Sequence, residues 1–269
     1  MNIGIDIDGV IIDSIKTIVL DLDGTLLRSD KTISSITMNT LNKVKEKNIE
    51  IILATARPPR AVYNFLPEEL LDGKIIFYNG AEIHDKKLKI YSQDISSRDF
   101  ETLHNSVLKY TEGISIAYEY NDQCYVSGNF ERHFPEIFYE KVDSFQYREV
   151  PKILVDIKDK KFKDYLINNV PSGCTMVLTD KGTLAQIMHI NVSKKNAVSY
   201  LLDKYGGSFE NTICFGDDFN DIEMFKACGI SVAMGNAVSE LKGVATNITE
   251  TNDRDGVASF LNECFNKCI

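Results

Sequence analysis

Two carboxylates one residue apart, Asp21 and Asp23, follow the apolar run Ile18-Val19-Leu20 and precede a Gly24-Thr25 break. An acid at the carboxyl end of a buried parallel strand faces the ligand crevice of an open α/β sheet. There one carboxylate can attack phosphorus as a nucleophile while its neighbour moves protons. Three more polar clusters stand at similar places. Thr55, with Arg57 just beyond it, follows Ile51-Ile52-Leu53-Ala54. Lys194 opens a helical stretch, and Gly216-Asp217-Asp218-Phe219-Asn220-Asp221 follows Ile213-Cys214-Phe215. Strand ends of a parallel sheet meet along one rim, so clusters spread over most of the chain are expected to converge.

Their chemistry is complementary. Asp21, Asp217 and Asp221 suit Mg²⁺, a hard cation that takes oxygen ligands. Such an ion neutralises the repulsion between a carboxylate nucleophile and an incoming phosphate dianion. The Thr55 hydroxyl and the Lys194 ammonium are donors for phosphoryl oxygens, and phosphoryl transfer relies mainly on such positioning and charge stabilisation. Singly, each residue has a plainer role. Thr55 fits a helix N-cap, Lys194 a solvated helix position, and Asp217, Asp218 and Asn220 caps of the following helix. Arg57 fits a substrate contact or a structural ion pair equally well, and His189 fits a linker better than a catalyst.

The elements that must hold these residues can be read from periodicity. Strands are expected at Thr17–Leu22, 49–54, 75–78, 212–215, 230–233 and 244–248, alternating with helices at 36–47, 194–205, 221–228 and 256–265. Such alternation implies a parallel sheet covered on both faces, an α/β core. Between them lie strand-like runs at 88–91, 114–120, 124–127, 153–157, 175–178 and 184–189 and a helix at 99–110. These imply an α+β unit with an antiparallel sheet. The expected organisation is a core of residues 1–82 and 187–269, interrupted by an insertion over 83–186.

Bulk composition narrows the partners. The 269 residues carry a net charge of −9, with 43% hydrophobic and 26% charged residues. An acidic surplus disfavours nucleic acid, whose phosphates are bound by Lys and Arg. It leaves room for a small phosphorylated substrate held by a local cation or a metal. The 6 cysteines form no Cys-x-x-Cys pair, so free thiols are expected. Acids at Asp6, Asp8 and Asp13 interrupt the N-terminus, and no apolar run approaches a membrane span. A cytoplasmic location is the simplest expectation, and oligomeric state is not legible.

Asp21-Leu22-Asp23-Gly24-Thr25-Leu26-Leu27, Thr55-Ala56-Arg57-Pro58, Asn79-Gly80-Ala81, Val192-Ser193-Lys194 and Gly216-Asp217-Asp218-Phe219-Asn220-Asp221 together resemble the signature set of haloacid dehalogenase-superfamily phosphatases, of the Cof-like sugar-phosphatase type. Val232-Ala233-Met234-Gly235-Asn236-Ala237 and Asn252-Asp253-Arg254-Asp255-Gly256-Val257-Ala258 match the way that family ends. The resemblance implies a Rossmann-like core, a large α+β cap that selects the substrate, and Mg²⁺-dependent hydrolysis of a small phosphorylated metabolite through an aspartyl-phosphate. Asp21 would be the nucleophile and Asp23 the acid and base. The Asp21 side chain, the Asp23 carbonyl and Asp217 would hold the metal, with Asp221 close by or acting through water. Thr55, Lys194, Asn220 and Arg57 would bind the phosphoryl group. Departures are Ala56, Asn191 and Lys195 where glycines are usual and His189 where proline is frequent; the pair Lys194-Lys195 leaves open which lysine serves. A phosphotransferase or phosphomutase using the same aspartyl-phosphate is the alternative. A non-catalytic binding module is disfavoured by the presence of both acids.

A near-copy of the first motif, Asp6-Ile7-Asp8-Gly9-Val10-Ile11-Ile12, stands fifteen positions earlier. Parallel neighbours need a crossover of roughly a dozen residues. The stretch from Asp13 to Lys16 cannot supply one. Residues 1–14 are therefore expected outside the site, as an edge addition or a surface extension.

Overall fold

The apolar runs preceding the polar clusters form neighbouring strands of one sheet in the computed structural model, which describes residues 6–7, 10–110, 113–133 and 139–266. Thr17–Asp21 is buried along its whole length, with Ile18, Val19 and Leu20 fully enclosed. It lies between Glu50–Ala54 and Thr212–Gly216, parallel to both. The sheet has 8 strands, in the order Asn247–Ile248, Ile230–Ala233, Thr212–Gly216, Thr17–Asp21, Glu50–Ala54, Lys74–Phe77, Glu82–Asp85 and Leu88–Ser92. Its first six strands run parallel, and Glu82–Asp85 turns back antiparallel on Lys74–Phe77. The fold class is thus the mixed α/β class expected.

Register aligns the chemistry. Asp21 stands opposite Ala54 and Leu20 opposite Phe215, so Asp21, Thr55 and Asp217 leave the sheet at one rim. Helices between the strands are fixed by local chemistry. Ser34 caps Ser35–Glu46 by accepting from the Thr37 N–H at 3.0 Å. Ser193 does the same for Lys194–Tyr205, and Gly206 ends that helix at φ +75°.

The sheet continues past residue 82, where the sequence pattern places the start of the insertion. Glu82 and His84 are both buried on the Glu82–Asp85 strand and bond each other at 3.2 Å. Two polar side chains facing inward hide that strand from an apolar pattern. The Leu88–Ser92 strand, assigned above to the insertion, belongs to this sheet.

The chain divides into two compact units. The first comprises Met1–Ala56, Pro67–Leu88 and Ser193–Ile269. The second comprises Arg57–Leu66 and Lys89–Val192, so residues 57–66 cluster with the central segment rather than with the first unit. The second unit holds a 6-stranded sheet in the order Glu140–Lys141, Gln123–Ser127, Ile116–Tyr120, Ile153–Asp156, Leu184–His189 and Cys174–Thr179, antiparallel except at its first pair. Helices Ser97–Tyr110 and Lys160–Asn169 bury Phe100, Leu103, Val107, Phe162 and Leu166 against one face of that sheet. The second of these helices escapes the sequence pattern because only Phe162 and Leu166 are buried among its lysines and asparagines.

Asp6–Ile7 pairs with Val10–Ile11 in a separate two-stranded sheet that does not join the eight-stranded one. Asp8 and Gly9, and the side chains of Asp6, Ile7, Val10 and Ile11, lie outside the described residues, and so does the expectation about where these acids pack; Ile12, the last residue of the copy, is buried. Cys124, Cys174, Cys214, Cys228 and Cys264 are buried free thiols. No helix among the described residues is long and apolar enough to cross a membrane.

Candidate active site

At the rim of the first unit the chain turns sharply after Asp21. The Leu27 N–H donates to the Leu22 carbonyl at 2.8 Å and the Leu26 N–H to the Asp21 carbonyl at 3.2 Å. Gly24 makes this turn possible. Its φ is +78°, and a Cβ there would overlap the Asp217 carboxylate. Thr25 Oγ1 donates to Asp217 Oδ1 at 3.1 Å, which ties the first motif to the last.

The centre of the site is one buried ammonium between two buried carboxylates. Lys194 Nζ lies 2.5 Å from Asp21 Oδ1 and 2.7 Å from Asp221 Oδ1. Lys194 and Asp221 side chains are sealed from solvent, and Asp21 is 6% exposed. Asp221 Oδ2 accepts from the backbone N–H groups of Asp217 at 3.1 Å and Asp218 at 3.2 Å. Asp218 and Asp221 form a capping box, so Asp218 acts as the helix cap its position implies. Lys195 is only half-buried, and the structure places Lys194, not Lys195, against the acids.

Oxygens of Asp21, Asp217 and Asp221 all lie within 4.8 Å of one another. Three carboxylates against one ammonium leave a buried negative surplus. Burial pushes the Asp21 carboxyl well up, and Asp221 and Asp217 push it further against the opposing pull of Lys194. Burial, then Asp221, raise Asp217 to about 6. Burial alone would lower Lys194, but Asp21 and Asp221 hold it above the ordinary lysine range. An all-oxygen donor set carrying surplus negative charge fits a hard dication such as Mg²⁺.

This arrangement has a consequence for stability. A carboxyl whose folded pKa exceeds its ordinary value of 3.8 stabilises the fold while protonated, and that contribution is lost as pH rises through about 6. Mg²⁺ bound to the ionised form would reverse the loss. Saturating Mg²⁺ is therefore expected to raise Tm little at pH 5 and by about 5–10 °C at pH 7.5, from roughly 2.7 kcal/mol of linkage at a hundred times Kd. Thermal denaturation with and without Mg²⁺ across that range checks it; a gap independent of pH would refute the assignment.

The other expected residues fall as follows. Thr55 is buried at the end of its strand, with its N–H on the Ile76 carbonyl and its carbonyl receiving the Asn79 N–H, both at 2.9 Å. Asn220 Nδ2 donates to Asn79 Oδ1 at 2.9 Å, while Asn220 Oδ1 is buried without a hydrogen-bond partner. Asp23 turns its carboxylate outward, where Lys31 Nζ meets it at 2.8 Å. Arg57 falls in the second unit, its guanidinium 5.2 Å from the Phe65 ring centroid. His189 Nδ1 accepts from the Asn191 N–H at 3.1 Å, as a turn residue would.

Some supporting residues carry no chemical signal of their own. Asn236 Nδ2 donates to the Gly24 carbonyl at 2.8 Å, and Asn252 Nδ2 to the Leu27 carbonyl at 2.9 Å. Asn236 Oδ1 also receives the Asn252 N–H at 3.0 Å. Together the two amides brace the loop that carries Asp21 and Asp23. Asn79 has φ +59°, and a Cβ on Gly80 would overlap the Ser193 carbonyl, so this turn packs against the residue before Lys194. The sequence motifs containing these residues could have flagged them, but periodicity gives them no role.

Residues 18–261 match the model of a family described as haloacid dehalogenase-like hydrolase. The chain is 28% identical to the 5-amino-6-(5-phospho-D-ribitylamino)uracil phosphatase YitU of Bacillus subtilis, over 98% of this chain and 97% of that protein. A crystal structure of a haloacid dehalogenase-like hydrolase from Bacteroides thetaiotaomicron superposes with a TM-score of 0.77 at 27% identity, covering 93% of this chain and all, 100%, of the other. BT1666 from the same organism, described among the phosphatases of that superfamily, gives a TM-score of 0.82 at 25% identity over 100% of both chains.

Proposed function

Since the chain belongs to the haloacid dehalogenase-like hydrolase family, we propose that this phosphatase hydrolyses a small phosphorylated metabolite through an aspartyl-phosphate on Asp21. The observation that carries this reading is the buried Lys194 bridge between Asp21 and Asp221 beside Asp217, at the carboxyl ends of adjacent parallel strands.

In the first half-reaction an Asp21 oxygen forms a bond to phosphorus as the bond to the leaving oxygen breaks. Asp23 gives that oxygen its proton. In the second half-reaction Asp23 takes a proton from water, whose oxygen attacks phosphorus and frees Asp21 with inorganic phosphate. Lys194 orients the Asp21 carboxylate and opposes the burial that favours its protonated form. Thr55 and Asn220 offer their polar groups to the phosphoryl oxygens. Asp21, Asp217 and Asp221, with the Asp23 carbonyl, would hold Mg²⁺, which would supply positive charge to the crowded anions. Arg57 and the second unit act as the substrate-selecting cap.

The names of relatives favour a sugar or ribityl phosphate, since YitU is named for a phosphoribityl substrate. A phosphate-release screen over hexose, pentose and ribityl phosphates, flavin mononucleotide and pyridoxal phosphate tests the reading. Release is expected from at least one of them with Mg²⁺ and to vanish with a chelator. Transfer to added sugar acceptors in preference to water would instead identify a phosphotransferase, and no release from any compound would leave a binding module.

A further inference from the structure

The sheet of the second unit has a second face, and its composition is unusual. Ile116, Tyr118, Ile153, Val155 and Ile187 point to the helices. The alternate positions must point the other way, and cross-strand pairing sets Ala117 against Leu154, Leu154 against Gln186, and Glu119 against Cys124. On this face two ionisable residues are nearly sealed from solvent: Glu119 at 4% exposure and Lys152 at 6%. A purely structural face would carry apolar residues there, because burying charge is costly unless it is compensated.

Glu119 has an evident partner. Arg60 grips it with both guanidinium nitrogens, at 2.6 and 2.9 Å, and so tethers the short 59–63 helix to the sheet. Lys152 Nζ donates to Gln186 Oε1 at 3.2 Å. Beside these groups lies a cavity of about 440 Å³, lined by Arg57, Arg60 and Lys152 and by the carboxylate of Glu119, with Leu154 and Leu184 as apolar wall; Asp122 Oδ1 also lies 3.5 Å from Arg60 Nη1. Burial pulls Lys152 down to about 8, which still leaves it mainly charged at neutral pH. Burial also pushes the adjoining Cys124 thiol up to about 12, so it offers no thiolate for covalent chemistry.

We propose that this cavity binds an anionic group, a carboxylate or a second phosphate, on the non-reacting part of the substrate, with Lys152 as its specificity-determining residue and Leu154 and Leu184 against the carbon skeleton. Three cations, Arg57, Arg60 and Lys152, against the two carboxylates of Glu119 and Asp122 carry this choice over a neutral polyol, which would need matched donors and acceptors. The inference rests on the phosphatase reading above and on the second unit selecting the substrate.

Phosphate release from 6-phosphogluconate, glucose 1,6-bisphosphate and glucose 6-phosphate separates carboxylate, second phosphate and neutral sugar. For one of the two acidic compounds kcat/KM is expected to exceed that for glucose 6-phosphate by at least about tenfold, as charge-assisted contacts allow. Lys152→Met should bring the ratio to about one, while Lys152→Arg, which keeps the charge, should preserve most of it. Equal rates in the unaltered protein, or a ratio that Lys152→Met leaves standing, would overturn the proposal. If Lys152→Met does not fold, the unaltered protein's ratio together with Lys152→Gln decides. A protein that hydrolyses none of the three fails as a phosphatase for such compounds. Calorimetric titration of the same compounds into Asp21→Asn then tests the cavity alone. An acidic compound bound about tenfold more tightly supports it, and equal Kd values refute it.

Discussion

Asp21→Asn is expected to lower kcat by on the order of 10⁴-fold or more, while Asp6→Asn leaves it within about twofold. The amide keeps the shape of the carboxylate but cannot form a phosphoanhydride-like bond to phosphorus. It also removes one negative charge from a centre where Asp21, Asp217 and Asp221 crowd a single ammonium. Asp21 titrates well above its ordinary value, chiefly through burial, so its ionised form costs the metal-free fold stability at neutral pH. The metal-free variant should therefore melt no lower than the unaltered protein at pH 7.5, and Mg²⁺ should raise its Tm less. Phosphate release, intact-protein mass after brief exposure to substrate, and thermal denaturation together check this. Lost activity in Asp6→Asn with activity retained in Asp21→Asn would reverse the choice between the motif copies.

Lys194→Met should be the most damaging single change to the metal-free fold. It leaves Asp21 and Asp221 facing each other with their shared counter-charge gone. Breaking a buried pair in this way costs about 3–5 kcal/mol. The sign of its pH dependence follows. Without the ammonium the Asp21 carboxyl, already raised by burial, titrates still higher, so the fold is least affected when it is protonated, and the deficit grows as pH rises through the neutral range. Mg²⁺ should restore much of the melting temperature by returning positive charge, but not turnover, since Lys194 no longer orients Asp21. Asp221→Asn added to Lys194→Met should likewise recover stability without activity. A variant that melts like the unaltered protein at pH 8 without metal would show that Lys194 is not the counter-charge of this centre.

Much of the rim was legible because its logic is local. Apolar runs such as Ile18-Val19-Leu20 and Ile213-Cys214-Phe215 announce buried parallel strands, and the acids that end them must lie at one rim. The choice of Lys194 over Lys195 was not legible. Both open the same helix, and only packing decides which points to Asp21. The limits of the sheet were hidden for another reason. Glu82 and His84 satisfy each other inside the fold, so a buried strand carries polar letters. Residues 57–66 look like an ordinary continuation after Thr55, and nothing in their pattern reveals that Arg60 reaches Glu119, 59 positions on. Asn236 and Asn252 serve backbone carbonyls, and an amide offered to a distant carbonyl leaves no periodic trace.

The bracing of the Asp21 loop by Asn252 also sets an order of events during synthesis. Asn252 and the Leu27 carbonyl it holds are 225 positions apart, and Lys194 is 173 positions from Asp21. The Thr17–Asp21 strand therefore leaves the ribosome well before its Thr212–Gly216 neighbour, its counter-charge Lys194 and its brace Asn252. Until then one edge of the fully buried Thr17–Asp21 strand has no partner, and such edges recruit other strands. No product that stops short of Asn252 has both the counter-charge and the brace of the Asp21 loop, so this centre is completed only after that residue has been made.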